Sequence, residues 1–140
     1  MEKTENYGLN QWGAQDAIKR EDFNADNAKT DAALGALAVG MPKLATGSYT
    51  GNGNANTGET LRTLDCGFAP KLVVVMRDGG NATYSGLFVR PMSNGLSRFD
   101  SNATVRLTWT STGVSWSTSD GYVDNSLNTS GAKYYWIALG

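Results

Sequence analysis

The spacing of the apolar residues changes at Pro42. Between Phe23 and Met41 the steps along the chain are 4, 3, 4, 3 and 4 residues, which is the heptad spacing of a coiled coil. The positions on this seam are Phe23, Asn27, Thr30, Leu34, Leu37 and Met41. After Pro42 apolar and polar residues alternate, which is the period of a β-strand. The pattern therefore predicts an N-terminal helix followed by a β domain.

The predicted helix covers residues 21–41, with its regular part from about Asp22 to Val39. Acids in the first turn suit the helix dipole, and Gly40 with Pro42 provides a stop. Two interpretations remain open: the helix packs along identical copies, or it lies alone on its own β domain. Asn27 and Thr30 favour the first, because polar side chains on such a seam hydrogen-bond across the axis and fix the register. We predict a trimerisation helix.

The segment of residues 1–20 shows no sustained period. It holds Tyr7, Leu9 and Trp12 in a context rich in Gly and Asn. This is typical of an irregular peptide that docks into another protein, and equally of a partly ordered terminus.

Seven short strands are predicted in the second region. They cover residues 47–51, 60–66, 71–77, 84–90, 103–110, 114–117 and 133–139, with a hairpin loop at 110–113. Turns rich in Gly, Asn and Ser separate them. Short strands with tight turns predict an antiparallel β-sandwich over residues 42–140.

Two of these strands are apolar on both faces. The run KLVVVM, from Lys71, predicts a central strand covered on both sides. In the last strand one face carries Tyr134, Trp136 and Ala138, and the other carries Tyr135, Ile137 and Leu139. We expect one of these faces to enter the core and the other to meet a neighbouring subunit, which predicts three sandwiches around one axis.

Charge and composition exclude several classes of function. The formal net charge is -1, divided into -3 over residues 1–40 and +2 over the rest, so neither part is a polybasic surface for nucleic acid. The chain has no His, and Cys66 is its single cysteine, so the commonest general base and any disulfide within the chain are missing. The charged N-terminus does not resemble a secretory signal, and no apolar run is long enough to span a bilayer. We predict a protein without enzymatic activity, cofactors, nucleic-acid partners or membrane insertion.

Acids and aromatic residues of the β region supply the candidates for chemistry. The acids are Glu59, Asp65, Asp78, Asp100, Asp120 and Asp124, and no pair has the context of a glycosidase. Asp120, Asp124 and Asn125 offer oxygen ligands, but their spacing differs from a calcium-binding loop, so we predict a solvated turn and no metal site.

Sugar binding requires exposed aromatic rings beside polar groups. Trp109 and Trp116 fall on the inward face of their strands and are predicted to be core residues. The better candidates for a ligand site lie in loops: Tyr84, Arg90, Asp120 and Tyr122.

Two parts of the sequence resemble a known class of proteins. The opening TENYGLNQWGAQDAIKREDFNADNAKTDAAL, with its NYGL and EDFN segments, is similar to the start of short tail-fibre or tail-appendage proteins. Those proteins come from phages and prophages of Gram-positive, gut-type bacteria. The segments GSYTGNG, LDCGFAPKLVVVMRD and YYWIALG resemble the β-sandwich heads of such fibres and of lectin-like relatives.

The resemblance implies a trimeric virion component that is assembled in the cytoplasm of the bacterial host. Its N-terminal segment, with Tyr7, Leu9 and Trp12, would attach to other structural proteins of the phage. Residues 21–41 would trimerise, and the head of residues 42–140 would face the host surface and its glycans. The stalk is very short for a fibre, so a capsid or neck decoration is one alternative, and a lectin-like carbohydrate-binding module is another.

Overall fold

The computed structural model describes residues 2–55, 57, 62–79, 84–99, 103–118 and 120–140. The chain divides into two compact units, Met1–Met41 and Pro42–Gly140. Each unit is described separately below.

The first unit combines a small hairpin with one helix. Strands β1 (Glu2–Lys3) and β2 (Asn10–Gln11) pair antiparallel, and helix α1 spans Arg20–Gly40. Glu21 and Asp22 lie in the first turn of the helix, and the Met41 amide donates to the Leu37 carbonyl at its end. The predicted helix is therefore confirmed, whereas the irregular peptide predicted before it contains an ordered hairpin.

The second unit is one antiparallel sheet. Its described strands are β3 (Leu44–Thr50), β4 (Arg62–Asp65), β5 (Leu72–Arg77), β6 (Ser85–Val89), β7 (Asn94–Arg98), β8 (Ala103–Trp109), β9 (Gly113–Ser117) and β10 (Lys133–Leu139). They are hydrogen-bonded in the order β3-β10-β5-β6-β7-β8-β9-β4. The prediction of a mainly β fold is confirmed. The strands belong to one curled sheet, however, rather than to two separate sheets.

The sheet curls around a single core. Phe88 on β6 packs against Trp116 on β9, with ring centroids 5.2 Å apart, although β7 and β8 lie between these strands in the sheet. Tyr49 on β3 also lies 6.4 Å from Trp116 and stacks on Tyr134 at 5.0 Å. Burial raises the pKa of Tyr49 far above its usual range. These contacts show that strands from opposite ends of the strand order face each other across the core.

Most strand predictions hold, with two corrections. The sequence analysis placed a turn where β7 begins, because Asn94 and Gly95 favour turns. Gly95 nevertheless pairs with Val105 on β8, and a glycine is needed there because the Phe88 ring occupies the space of a side chain: an added Cβ would lie 2.3 Å from it. Thr60 and Leu61, the start of one predicted strand, lie outside the described residues.

The second correction concerns β5. It is a central strand, as predicted, since β10 and β6 flank it. Val73 and Val75 are fully buried, but Val74 is only half-buried and Met76 is exposed on the other face. Within the chain, therefore, β5 is covered on one side.

Candidate functional site

The N-terminal hairpin docks on the helix of its own unit. The Asn10 amide donates to the Asp26 carboxylate at 2.8 Å, and the Lys29 ammonium donates to the Gly8 carbonyl at 2.6 Å. The Asn10 side chain also reaches the Asp22 carbonyl. Asp22, Asp26 and Ala33 are accordingly the helix residues with reduced exposure. Charged and polar groups thus hold the predicted attachment segment against one face of α1.

The three predicted attachment residues occupy different places in this unit. Tyr7 lies in the turn between β1 and β2 and is 62% exposed. Leu9 is half-buried and, with Tyr7, lines a cavity of about 190 Å³ that is completed by Thr30, Ala33, Leu34 and Leu37. Trp12 is half-buried beside a separate cavity lined by Gln11 and Gly13. Tyr7 and Leu9 therefore lie together, and Trp12 lies apart from them.

The predicted trimer seam is open in the single chain. No described residue of α1 is buried. Phe23, Leu34, Leu37 and Met41 are 57–60% exposed, and Asn27 and Thr30 are also exposed. The Thr30 hydroxyl donates to the Asp26 carbonyl within the helix and keeps its capacity to accept a further bond. The hairpin lies beside the seam, and Thr30, Leu34 and Leu37 line the cavity of about 190 Å³ that it forms with the helix, but all three side chains remain exposed.

The β unit has two distinct ends. We call the end at which β3 and β5 finish and β6 and β10 begin the loop end; it carries the described segments 51–55 and 120–132. Register places Thr50 opposite Lys133 and Met76 opposite Ser85, which brings these segments together. Pro42 lies at the opposite end, where the Lys43 amide donates to the Gly140 carbonyl.

The four ligand candidates divide between the two ends. Asp120, Tyr122 and Tyr84 lie at the loop end, and Tyr122 is 68% exposed. Arg90 lies at the other end, where its guanidinium stacks over the Trp109 ring at 5.2 Å and donates to the Thr110 carbonyl. The structure thus groups three of the candidates by end and separates Arg90 from them.

Local hydrogen bonds build the segment around Asp120. Its carboxylate accepts bonds from the Thr118 hydroxyl, the Tyr122 amide at 2.9 Å and the Asn125 side chain at 2.7 Å. Partial burial raises the pKa of this acid, but the hydrogen bonds outweigh burial, so the pKa of Asp120 lies below its usual value. These bonds hold a charged carboxylate and Tyr122 in a fixed turn.

Asp124, the other acid of this segment, contacts different partners. It accepts a bond from the Thr129 hydroxyl and lies 3.9 Å from the Arg77 guanidinium. Within the described ranges no three acidic or thiol side chains gather closely enough to hold a metal ion. Glu59 and Asp100 lie outside those ranges.

A network of Asn side chains joins two segments of the loop end. Asn128 is fully buried, donates to the Asn52 side chain and the Asn54 carbonyl, and accepts a bond from the Asn52 amide. Gly51 is required beside it, because an added Cβ would lie 2.0 Å from the Thr129 carbonyl oxygen. The two segments of the loop end are therefore held together by specific hydrogen bonds. The network is not predictable from the sequence, because Asn-rich segments indicate only turns.

Tyr84 is enclosed by two arginines. The Arg77 and Arg98 guanidinium groups lie 5.8 and 4.8 Å from its ring centroid. Such cation–π contacts fix a half-buried ring rather than present it for stacking. Of the two Trp residues predicted to be core, Trp116 is fully buried, whereas Trp109 is half-buried and donates to the Met92 carbonyl. This leaves Tyr122 as the exposed aromatic candidate at the loop end.

The outward face of the sheet carries an apolar surface on β10, β5 and β6, which Leu44 at the start of β3 extends. We call it the outer apolar patch. Register aligns Leu139 with Leu44 and Leu72, Ile137 with Val74, and Val74 with Leu87. The complete set is Leu44, Leu72, Val74, Met76, Leu87, Val89, Tyr135, Ile137 and Leu139. The sequence predicts that one face of β10 lies outward, but it gives no sign that β6 extends the same surface.

Comparison with known proteins adds no relative. No family model, curated protein or solved structure matches this chain. Among the described residues no helix is long and apolar enough to cross a membrane.

Proposed function

We propose that this chain is a non-enzymatic structural protein of a phage particle, a trimeric tail fibre or appendage. The observation that carries the proposal is the open heptad seam of α1, a 21-residue helix that has Phe23, Leu34 and Leu37 on this seam and no buried residue. Burying a large apolar side chain contributes about 1.5–3 kcal/mol, so three copies of the seam would supply the burial that one chain lacks. The resemblance of the opening segment to phage tail appendages supports the same conclusion.

The β unit suits the role of a head. Strands from the two halves of its curled sheet pack across the core as the layers of a sandwich do, in keeping with the predicted sandwich head. Its loop end lies opposite Pro42, the residue that follows the helical unit in sequence. In a fibre attached through residues 1–20, this end would face the host surface. Tyr122 beside the Asp120 carboxylate offers a ring and an acceptor for a sugar.

Light scattering on the purified full chain tests the trimer. We expect a trimer at micromolar concentration and a monomer for the variant Phe23→Asp, because three buried carboxylates would meet at the seam. Val39→Asp is the matched control: Val39 is on the same helix and 89% exposed, but off the seam. A monomeric parent chain, or equal behaviour of the two variants, would refute the trimer.

Particle incorporation tests the virion role. When the chain is produced in infected or induced host cells, we expect it to sediment with purified particles. A chain lacking residues 1–20 should remain soluble and be absent from the particles. If the full chain never co-purifies with particles but binds sugars as a free protein, the lectin-like alternative replaces this proposal.

A glycan array tests host recognition separately. We expect sugar binding to be lost in Tyr122→Ala and retained in Tyr7→Ala, which changes an exposed Tyr of the helical unit. If the parent chain binds no sugar on the array, the glycan-binding part of the proposal is wrong and the structural role is unaffected.

A further inference from the structure

The outward face of the sheet is divided into two chemically different halves. On β8 the outward residues are Thr104, Arg106 and Thr108, and all three are exposed. Beside them Ser115 on β9 is buried and shares a hydrogen bond of 2.9 Å with Thr63 on β4. On β10, β5 and β6 the outer apolar patch takes the place of such polar residues. Both sets lie on the outward face of the sheet, so packing of the core of the β unit does not explain the difference. The polar residues of β8 suit contact with water, whereas the apolar patch suits contact with another protein surface.

We propose that the outer apolar patch is the surface on which the β domains of neighbouring copies of this chain pack together around a common axis. The inference rests on the proposed trimer and assigns its second interface. Ile137 lies near the middle of the patch, on a strand flanked by β3 and β5.

The size of the patch matches a subunit contact. Seven of its residues are 36–62% exposed. With on the order of 200 Å² for a large side chain, these exposures amount to about 600 Å². The largest apolar patch of a typical monomer is about 300–600 Å², and a stable interface buries about 800 Å² per partner. The patch alone supplies about three quarters of the area that a stable interface buries on each partner, and polar residues around it would supply the rest.

The chemistry of the patch favours an identical partner. None of its nine residues is charged. Residues close to a threefold axis lie near their own equivalents in the other copies, so charged residues there would repel one another. Lys133 stacks over the Tyr135 ring at 5.1 Å, at the start of β10 and away from the centre of the patch. An uncharged surface can meet copies of itself at no such cost.

The shape of the patch also suits a protein partner better than a sugar. A groove of about 490 Å³ crosses it, lined by Thr46, Ser48, Val74, Met76, Tyr135 and Ile137. Val74, Met76 and Ile137 give this lining an aliphatic and thioether part, and the lining has no side-chain carboxylate, amide or guanidinium group to read sugar hydroxyls. The groove can instead receive apolar side chains from a neighbouring copy.

Two full-length variants test this assignment. Ile137→Glu places a carboxylate in the patch, and Thr108→Glu is its control, at an outward-facing polar residue of β8. Dissociation of the trimer on dilution is followed by light scattering, with circular dichroism to verify the fold of each variant. We expect Ile137→Glu to dissociate at a concentration at least about tenfold higher than the parent, since like charges would meet. Thr108→Glu should match the parent.

Cross-linking provides a second measurement that is independent of trimer affinity. With a short bis-maleimide, Ile137→Cys should give covalently joined chains, whereas Thr108→Cys should give few. Cys66 is buried, and burial raises the pKa of its thiol, so it should react slowly in both variants. Cross-linking at Ile137 alone supports the proposal.

The outcomes separate this inference from the proposed function. If Phe23→Asp abolishes the trimer while Ile137→Glu dissociates like the parent and Ile137→Cys does not cross-link, the patch assignment is wrong and the trimer stands. If Ile137→Glu leaves the trimer unchanged but prevents particle incorporation, another particle protein covers the patch and the assignment is again wrong. A parent chain that is monomeric at all concentrations refutes both.

Discussion

The two units of this chain treat large apolar side chains in opposite ways. The β unit encloses Phe88, Trp116 and Tyr134 completely. The helical unit leaves Phe23 and Leu34 more than half exposed and buries no residue of its helix. Since isolated helices gain little stability in water without packing, the contrast separates a unit that completes its own core from one that needs additional burial. The β unit therefore contains a closed core of its own, whereas the helix of the first unit leaves its large apolar side chains exposed.

A core substitution should break the β unit regardless of protein concentration. Phe88→Ala leaves a cavity beside Trp116 and should lower the free energy of unfolding by about 3–5 kcal/mol. Urea unfolding at two protein concentrations tenfold apart measures this loss. Thr108→Ala on the polar outer face is the control and should change it by less than about 0.5 kcal/mol. A small effect of Phe88→Ala would mean that the core is not as tightly packed as described.

A substitution on the helix seam should change the oligomeric state, whereas the core substitution should not. Asn27→Leu replaces a polar seam position with an apolar one, which in coiled coils adds stability and weakens control of the oligomer state. We expect higher thermal stability and a mixture of oligomers by light scattering. Asn24→Leu, on an exposed position beside the seam, is the control. If both variants remain monodisperse trimers, Asn27 does not specify the assembly.

Acid should produce the smallest effect, confined to the loop end of the β unit. The lowered pKa of Asp120 means that its contribution to stability is complete above the pKa of the unfolded chain and is lost as the pH falls through its folded value. The loss is therefore expected below about pH 4. The protection factor of the Tyr122 amide, which compares its exchange with that of an unfolded chain at the same pH, should fall in that range, while the amides of β5 stay protected. Asp120→Asn should show this lower protection already at neutral pH.

Periodicity explains why the main elements could be predicted. The helix and the strands at Ala103–Trp109 and Lys133–Leu139 carry clear periods, and their predicted bounds lie within two residues of the observed ones. Strand β7 was missed because Asn94 and Gly95 have turn propensity, and only the nearby Phe88 ring explains the glycine. The pattern of residues along a short segment cannot reveal a contact with a side chain from another strand.

The candidate site was less predictable than the fold. Tyr122 and Asp120 were found because aromatic and acidic loop residues stand out in sequence. The hairpin contacts through Asp26 and Lys29 were missed, since a charged helix residue gives no sign that a backbone group will lie beside it. Arg90 was grouped with the wrong residues because it and Tyr84 flank the same strand and therefore lie at opposite ends of the sheet.

The Asn128 network has a consequence for how this surface could change. Asn128 ties Asn52 and Asn54 to its own segment from within, so the loop end is braced without help from the helix seam or the outer apolar patch. Exposed tips such as Tyr122 can therefore be exchanged while the bracing residues stay constant. We therefore expect sequence change at the loop end to concentrate at its exposed positions and to spare Asn52, Asn54 and Asn128.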